Sequence, residues 1–356
     1  MRALLKNIDI KGILTIVPDK VIPFEDEIEN FDFTEKSSLK LKKMMGLGQR
    51  RIVDADTTGA DLCVYGLEHL IKTGELDKGR IDAIIYITQT PDHFIPPTSN
   101  LIQGRLGLND DVICVDINQG CAGFLYGLYQ ANIMLSQPEI NTVVMLNADT
   151  ASKQVSPKDR NSAPLAGDAS SVTLIEKAKN DNPVFFNIKM DGSRGGALQI
   201  PAGAYRMPSD ENTRKLKEVG DGNWRSLEHI TMDGTAIFNF TMKEVPEMIE
   251  DILNFANTDK DTIDHFFFHQ PNRFILQRIK AVMKIDDEKL KDDLVTYYGN
   301  TSSVTIPNVI THYYKNEFKK QSYKCCIAAF GVGLAWSSAV IEMGDFAFCD
   351  LIEYHK

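Results

Sequence analysis

Short apolar runs alternate with helical patterns along most of this chain. The runs IDAIIYIT, TVVMLNAD and SSVTLIE are rich in β-branched residues, as expected of buried strands. The segment GFLYGLYQANIML instead repeats its apolar residues at helical spacing. Strands that alternate with helices in this way predict an α/β fold whose parallel sheets are covered on both faces.

The second half of the chain faintly repeats the order of the first. IDHFFFHQPN matches the first strand and its turn, GNTSSVTIPNVITHYY matches a turn and helix, and KCCIAAFG and LAWSSAVIEM match the last two strands. Such a repeat indicates two similar halves. We predict one domain over residues 1–178 and another over residues 179–356, divided near the polar stretch KAKNDNP.

The segment from residue 190 to residue 235 shows little periodicity. It is either a cover over a substrate entrance or a solvated surface loop, and the sequence leaves both open.

Composition and charge limit the kinds of partner that we expect for this protein. The 356 residues carry a formal net charge of −10, which argues against nucleic acid as the main partner. The opening MRALLKNIDIKGIL is too polar for a signal peptide, and no apolar stretch approaches the roughly 20 residues of a membrane span. We therefore expect a cytoplasmic protein with no membrane partner. Its 6 cysteines should be reduced there, and they show no zinc-binding spacing, so we expect no metal.

Cys121 is the first candidate for chemistry. It lies in NQGCAGF, between a β-branched run and a helical pattern. A strand-to-helix turn would place it at the positive end of a helix, where backbone N–H groups and the helix dipole favour a thiolate. A thiolate can carry an acyl group as a thioester. A lone cysteine is more often a small core residue, so two further segments decide its interpretation.

Those segments contain His269 and Asn300. His269 follows the apolar run IDHFFF, at the sheet edge where α/β proteins place their sites. Asn300 lies in YYGNTSSVTIP, which alone would be a tight turn with Thr301 or Ser302 capping the next helix. If the halves superpose, Cys121, His269 and Asn300 converge. Together they offer a nucleophile, an acid/base and a neutral hydrogen-bond donor, which suits acyl transfer because its oxyanion needs donors aimed at it.

The motifs NQGCAGF, GDASSVTLIE, HQPNRFIL, GNTSSVTIP and FGVGLAWSSAVIEM occur in an order that resembles the β-ketoacyl-acyl-carrier-protein synthase III family of the thiolase superfamily. The resemblance covers nearly the whole chain. It implies a five-layered α/β/α/β/α fold of two pseudo-symmetric halves, a homodimer and no permanently bound cofactor. The enzyme would be a transferase of fatty acid biosynthesis or lipid metabolism, with coenzyme A and acyl-carrier-protein thioesters as substrates. The sequence names neither the acyl donor nor the pathway.

The resemblance also implies residue roles. Cys121 would accept an acyl group from a thioester, and the backbone N–H groups of Cys121 and Val332 would form the oxyanion hole. His269 and Asn300 would stabilise the enolate that forms when a malonyl thioester loses carbon dioxide. That enolate would attack acyl-Cys121 in a decarboxylative Claisen condensation.

The match is less complete at the mouth of the site. Arg160 is retained and would meet a nucleotide or phosphate, unless it forms an ordinary surface ion pair. Ile95 would limit acyl-chain length, in the family from the partner's loop, and could also fill the dimer core. In the family a tryptophan and an arginine help to hold coenzyme A, and this chain has Lys40 and Met44 at those positions. It has Asn239 where a basic residue often faces the carrier protein. A basic cluster could attract an acidic carrier or a phosphate, or form a solvated face: Lys40, Lys42, Lys43, Arg50 and Arg51.

Three alternatives remain open from the residues. An acyltransferase on the same scaffold would deliver the acyl group to a hydroxyl or amine without decarboxylation, although Asn300 favours condensation. A cysteine hydrolase shares the order Cys, His, Asn but needs a nucleophile motif that is absent here. A non-catalytic partner subunit would not be expected to keep all three residues.

Overall fold

The computed structural model describes residues 1–179 and 182–356. The helices are α1 Glu35–Met45, α2 Gly59–Thr73, α3 Thr98–Leu106, α4 Gly123–Leu135, α5 Glu211–Arg214, α6 Gly234–Phe255, α7 Arg273–Met283, α8 Val295–Tyr298, α9 Thr305–Tyr313 and α10 Lys315–Phe318. The strands are β1 Arg2–Leu5, β2 Ile8–Pro18, β3 Val21–Pro23, β4 Gln49–Arg51, β5 Ala83–Ile87, β6 Ile113–Ile117, β7 Thr142–Thr150, β8 Asp168–Lys177, β9 Val184–Met190, β10 Leu198–Gln199, β11 Lys217–Glu218, β12 Trp224–Arg225, β13 Thr231–Met232, β14 His265–Phe268, β15 Ser322–Gly331, β16 Ala335–Gly344 and β17 Phe348–Tyr354.

Two large sheets contain most of the strands. The first has the order β17-β2-β8-β7-β5-β6 and the second the order β1-β9-β16-β15-β14. Parallel pairing joins β6 and β7 to β5, β17 to β2 and β14 to β15, whereas β8 and β16 run antiparallel to both of their neighbours. The prediction of parallel sheets is therefore wrong for part of each sheet. Residues 332–334 alone join β15 to β16, which is too short a connection for a parallel crossover.

Helices cover both sheets and also separate them. α4 and α9 pack between the sheets, α2 and α3 pack on the outer face of the first, and α6 and α7 pack on the outer face of the second. This is the predicted α/β/α/β/α order. α4 is apolar on nearly every side because both sheets bury it, and its Phe124 and Leu128 are fully buried.

The first strand of the chain belongs to the second sheet, and the last strand belongs to the first sheet. β1 pairs with β9 of the second sheet, and β17 pairs with β2 of the first. A division into residues 1–178 and 179–356 stays a prediction, and these two end strands do not follow it. The proposed boundary also adjoins residues 180 and 181, which lie outside the described residues.

The segment from residue 190 to residue 235 forms short strands and turns around α5. Its middle is mostly exposed, but Leu198, Ile230 and Met232, near its two ends, line the cavities described below. The segment therefore covers part of the site and also forms surface loops.

Residues 1–179 and 182–356 contain neither a membrane-spanning helix nor a candidate metal site. None of their helices combines the length and the apolar character needed to cross a bilayer. Their side chains also include no group of three or more histidine, cysteine or carboxylate residues placed to hold a metal ion.

Candidate active site

Cys121 lies where the two halves of the molecule meet. It follows β6 and occupies a short 3-10 turn, Gly120–Ala122, directly before α4, which is the strand-to-helix turn that the sequence predicts. Gly331, the last residue of β15, comes so close that a Cβ atom there would lie 2.6 Å from Cys121 Cβ and 3.0 Å from Sγ. A residue with a side chain would therefore displace the thiol or the strand.

The surroundings of Cys121 do not favour a resting anion. Burial, with a smaller contribution from the Asp149 carboxyl, raises the pKa of Cys121 to about 11. The Ser302 hydroxyl and the backbone N–H groups of Val332 and Cys121 act in the opposite direction. The expectation of a resting thiolate is thus wrong, because desolvation of the sulfur outweighs the donors of the turn. A base must take the thiol proton before the sulfur can attack.

His269 follows β14 at the carboxyl end of that strand and is 2% exposed. Its Nδ1 lies 2.8 Å from Thr305 Oγ1, and the Thr305 hydroxyl donates its proton to the Ser302 carbonyl oxygen at 2.9 Å. If the Thr305 hydroxyl gives its one proton to the Ser302 carbonyl, the hydrogen of the neutral ring lies on Nδ1. Burial lowers the pKa of His269 to about 3, which keeps the ring neutral near neutral pH.

With its hydrogen on Nδ1, the ring keeps a lone pair on Nε2 that can accept a proton, as the expected acid/base role of His269 requires. With its hydrogen on Nε2, the ring would instead donate to an oxyanion. Both roles of His269 stay predictions.

Asn300 is held by the loop before β8. Its N–H donates to the Leu165 carbonyl at 2.6 Å, and its own carbonyl accepts the Gly167 N–H at 3.1 Å. A Cβ atom on Gly167 would lie 2.0 Å from the Tyr298 carbonyl oxygen, so this approach requires glycine. Asn300 Oδ1 accepts the Ser302 N–H at 2.9 Å. In the described part of the chain Nδ2 has no protein partner, which leaves its two hydrogens for a ligand.

Two cavities meet at Cys121. The larger measures about 400 Å³, is lined by Cys121, His269 and Asn300, and extends between α1, α6 and α7. The smaller measures about 130 Å³ and also reaches Cys121 and Asn300, and its wall includes the amide side chains of Gln89 and Gln154. The three residues singled out in the sequence therefore share one cavity, as an acyl-transfer site requires.

Known proteins match this chain over nearly its full length. The family model described as 3-oxoacyl-[acyl-carrier-protein] synthase III matches residues 115–192, and the model of its C-terminal part matches residues 253–343. A β-ketoacyl-[acyl-carrier-protein] synthase III of Streptococcus agalactiae is 31% identical over 94% of this chain and 98% of that protein. The chain belongs to the 3-oxoacyl-acyl-carrier-protein synthase III family.

Other members agree in sequence and in fold. A β-ketoacyl-[acyl-carrier-protein] synthase III of Campylobacter concisus is 30% identical over 96% of this chain and 98% of that protein. The crystal structure of a 3-oxoacyl-(acyl-carrier protein) synthase from Burkholderia xenovorans LB400 covers 99% of both chains, with a TM-score of 0.92 and 32% identity. The fold is thus thiolase-like, and the chain is a condensing enzyme of this family. Transfer of the acyl group to a hydroxyl or amine is not favoured.

Val332 and Arg160 both border the cavities of this synthase III family member. The Val332 side chain packs against Gly120, and its N–H reaches the Cys121 sulfur. Arg160 lines a third cavity of about 260 Å³, and its guanidinium carbon lies 3.9 Å from the centre of the Phe33 ring. The guanidinium therefore covers the face of this ring, and it also lies 3.9 Å from the Asp221 carboxylate, the ion pair that the sequence left open as an alternative.

The residues that the sequence aligned with the coenzyme A clamp lie elsewhere. Lys40 is exposed on α1, and Met44 lines the larger cavity. Neither position therefore carries an aromatic ring or a guanidinium for coenzyme A. Asn239 is exposed on α6.

The predicted basic cluster is smaller than expected. Arg50 is 7% exposed and its Nε lies 2.9 Å from the Glu27 carboxylate. Arg51 lies 2.9 Å from the Glu353 carboxylate. Both guanidinium groups therefore form ion pairs within the chain, as Lys42 does with Glu25, and among the described residues only Lys40 and Lys43 of this cluster have no such pair.

Ile95 is 82% exposed and is absent from the walls of the three cavities within a single chain. Its role at the site stays a prediction, because it needs a second chain.

Sequence reasoning missed four side chains around the catalytic group. Ser302 and Thr305 lie shortly after Asn300 in the sequence, so their position was a usable signal. The only role predicted there was helix capping by Thr301 or Ser302. Neither Thr301 nor Ser302 makes a capping hydrogen bond with its side chain. The other two gave no signal of their own: Gln89, which follows β5, and Asp149, near the end of β7.

Proposed function

We propose that this synthase moves an acyl group from a thioester onto Cys121 and then condenses it with a malonyl thioester. The observation that carries the proposal is the single cavity lined by Cys121, His269 and Asn300. It brings together a nucleophile, a neutral base and a carboxamide donor, which acyl transfer and enolate chemistry both need.

In the first step His269 Nε2 takes the thiol proton while Sγ attacks the thioester carbonyl. The backbone N–H groups of Cys121 and Val332 face the sulfur, which suits them to stabilise the oxyanion of the tetrahedral intermediate. The donor thiolate then leaves and takes the proton from His269. The ring returns to its neutral form, which its low pKa favours.

In the second step the carboxylate of the malonyl thioester leaves as carbon dioxide, and its bonding electrons form a thioester enolate. Asn300 Nδ2 donates a hydrogen bond to the enolate oxygen without adding a permanent charge. The enolate carbon then attacks the acyl-cysteine carbonyl. Cys121 leaves as a thiolate and takes a proton from solvent, which restores the resting thiol.

The smaller cavity suits a short acyl group. Its volume of about 130 Å³ is close to that of engineered protein cavities that hold a benzene molecule, of about 150 Å³. We therefore propose an acyl group of about six heavy atoms or fewer. Coenzyme A is the proposed donor carrier, with Arg160 in the wall of the neighbouring cavity, and acyl carrier protein is the proposed carrier of the malonyl group.

We also propose a homodimer that acts in the cytoplasm. Phe94, Ile95 and Tyr205 are 70%, 82% and 86% exposed, and the rings of Phe94 and Tyr205 lie 5.8 Å apart. Exposed apolar side chains that adjoin in this way are typical of an interface with another protein. A reducing compartment suits an enzyme whose nucleophile must remain a free thiol.

Intact-protein mass spectrometry tests this function. We expect each short acyl-coenzyme A to add the mass of one acyl group, and malonyl-acyl-carrier protein then to remove it with release of carbon dioxide. Cys121→Ser should not load, whereas Cys63→Ser, at a buried cysteine outside the site, should load normally. Loading on another residue, or loss of the acyl group without carbon dioxide, would overturn the proposal.

A further inference from the structure

Ser302 touches all three residues of the site. Its N–H donates to Asn300 Oδ1 at 2.9 Å, and its hydroxyl lies 3.9 Å from Cys121 Sγ. Its carbonyl oxygen accepts the Thr305 hydroxyl at 2.9 Å, and that hydroxyl holds His269 Nδ1 at 2.8 Å. One residue thus fixes the rotamer of the carboxamide, faces the sulfur and holds the partner that sets the imidazole tautomer.

The backbone of Ser302 is unusual. Its φ of 55° lies in the left-handed region, which costs energy for any residue with a side chain. Ser302 is 6% exposed, and its side chain does not cap a helix. Helix capping therefore does not explain why a serine occupies this conformation, and the contacts with the site do.

The Ser302 hydroxyl has three acceptors within reach of its one proton. Gln89 Oε1 lies at 3.3 Å and Cys121 Sγ at 3.9 Å, and a hydrogen bond from the hydroxyl lowers the pKa of the Asp149 carboxyl. A neutral thiol is a weak acceptor and a thiolate is a strong one. The hydroxyl can therefore point to Gln89 or Asp149 in the resting enzyme and turn toward the sulfur when the sulfur becomes an anion.

We propose that Ser302 is the positioning residue of this site, holding Asn300 and His269 in their reactive arrangement and giving its hydroxyl hydrogen bond to the Cys121 thiolate. The proposal rests on the proposed function, in which that thiolate forms twice in each cycle. No covalent bond to Ser302 forms or breaks, because the hydroxyl proton changes acceptor and stays on its oxygen.

Two titratable side chains also face the sulfur. Asp149, from β7, opposes the anion, and His269, from the end of β14, is neutral near neutral pH. Removing the Ser302 hydroxyl also removes a hydrogen bond that lowers the pKa of Asp149. Each Ser302 variant is therefore also made in an Asp149→Asn background, in which a change at that carboxyl cannot contribute to the Cys121 profile.

The test compares Ser302→Gly, Ser302→Ala and the wild-type enzyme. Glycine keeps the backbone N–H and carbonyl contacts and suits the positive φ, so it removes the hydroxyl with little strain. Alanine removes the hydroxyl and keeps the strain. Ser303→Ala is the matched control, because Ser303 is also fully buried but its hydroxyl contacts Asn147.

The readout is the rate of Cys121 alkylation by iodoacetamide against pH, followed by intact-protein mass spectrometry. We expect both Ser302 variants to react about tenfold more slowly near neutral pH, with the profile displaced upward by about one pH unit. Ser303→Ala should follow the wild-type profile even where its melting temperature falls. An unchanged profile in folded Ser302→Gly overturns the proposal.

This experiment uses no thioester substrate, so its result is separate from the test of the proposed function. If the wild-type enzyme loads no acyl group, the condensation proposal fails while the alkylation profiles still report on Ser302. If Ser302→Gly keeps the wild-type profile but the wild-type enzyme condenses normally, only the Ser302 proposal fails.

Discussion

At the scale of single residues, Asp149 is the side chain that most opposes the chemistry of Cys121. It is 1% exposed and accepts the Gln89 N–H at 2.7 Å and the Thr88 hydroxyl at 3.3 Å. Burial raises the pKa of Asp149 to about 6, so near neutral pH it is charged beside a sulfur that must also ionise. The site therefore relies on donors such as Ser302 and Val332 to make the thiolate attainable.

We expect Asp149→Asn to gain stability relative to wild type as pH rises from 3.8 to about 6. Native Asp149 keeps its proton until about pH 6, whereas the unfolded chain loses it near pH 3.8. The native state thus binds more protons in this window, and wild-type stability falls as pH rises through it. Asparagine has no such loss, so its advantage should grow by on the order of 3 kcal/mol.

Urea unfolding on both sides of that window measures the effect. The exposed Asp110→Asn controls for the loss of one charge. A difference between Asp149→Asn and wild type that is constant across the window would show that the carboxyl is ionised alike in both states.

Asn300→Ala should separate the two chemical steps. Loss of the Nδ2 donor removes a hydrogen bond to the enolate, so carbon dioxide release should fall by about 10²–10³-fold. Acyl loading, which uses Cys121, His269 and Val332, should remain near the wild-type rate. Mass spectrometry measures acyl loading, and the carbon dioxide released from labelled malonyl thioester measures decarboxylation. Asn239→Ala, at an exposed position, is the control. Normal decarboxylation in Asn300→Ala would remove the role assigned to that residue.

At the scale of elements, the site depends on close approaches between strand ends and turns. The end of β15 comes against the turn that bears Cys121, and the loop before β8 comes against the turn that bears Asn300. Both contacts use a glycine, Gly331 in the first and Gly167 in the second. The two halves can share one cavity because backbone meets backbone at these points.

Gly331→Ala should slow acyl loading by about a hundredfold, because its Cβ would lie 2.6 Å from Cys121 Cβ and must shift the thiol. We also expect a loss of about 1–3 kcal/mol in the free energy of unfolding from overpacking. Gly104→Ala is the matched control, since nothing lies within 4 Å of its added Cβ. That variant should load normally and gain up to about 1 kcal/mol in α3. Equal loading rates in the two variants would contradict the close approach at Gly331.

At the scale of the whole molecule, the largest exposed apolar side chains raise the question of a partner. Phe94, Ile95 and Tyr205 lie outside the cavities of one chain and carry the highest exposures among its large hydrophobic residues. A second copy of the chain would bury them, and the loop that bears Ile95 would then lie in the interface.

Ile95→Asp should therefore convert a dimer into a monomer. A carboxylate buried in an apolar interface loses hydration without gaining a partner, which weakens association. Analytical ultracentrifugation of the variant and the wild type gives the two masses. Val282→Asp, at a 60% exposed position on α7, is the control and should keep the wild-type mass. A wild-type monomer, or a dimeric Ile95→Asp, would show that this patch is not the interface.

The sequence by itself determined most of the elements and the family, and it named the residues to which we assign the reaction. Periodicity marked the strands and helices, because side-chain spacing is a local property of the backbone. The resemblance of a few motifs then indicated the layer order and placed Cys121, His269 and Asn300 together. Strand direction in β8 and β16 was missed, since the pattern of apolar residues is the same for a buried strand in either direction.

Only the tertiary structure decided the state of those groups. Burial raises the pKa of the Cys121 thiol, and Thr305, which is 36 residues beyond His269, contacts the imidazole. Arg50 pairs with Glu27, and Arg160 stacks on the ring of Phe33 from a distant segment. Desolvation and hydrogen-bond partners depend on atoms brought together by folding, and no local pattern of residue types encodes them.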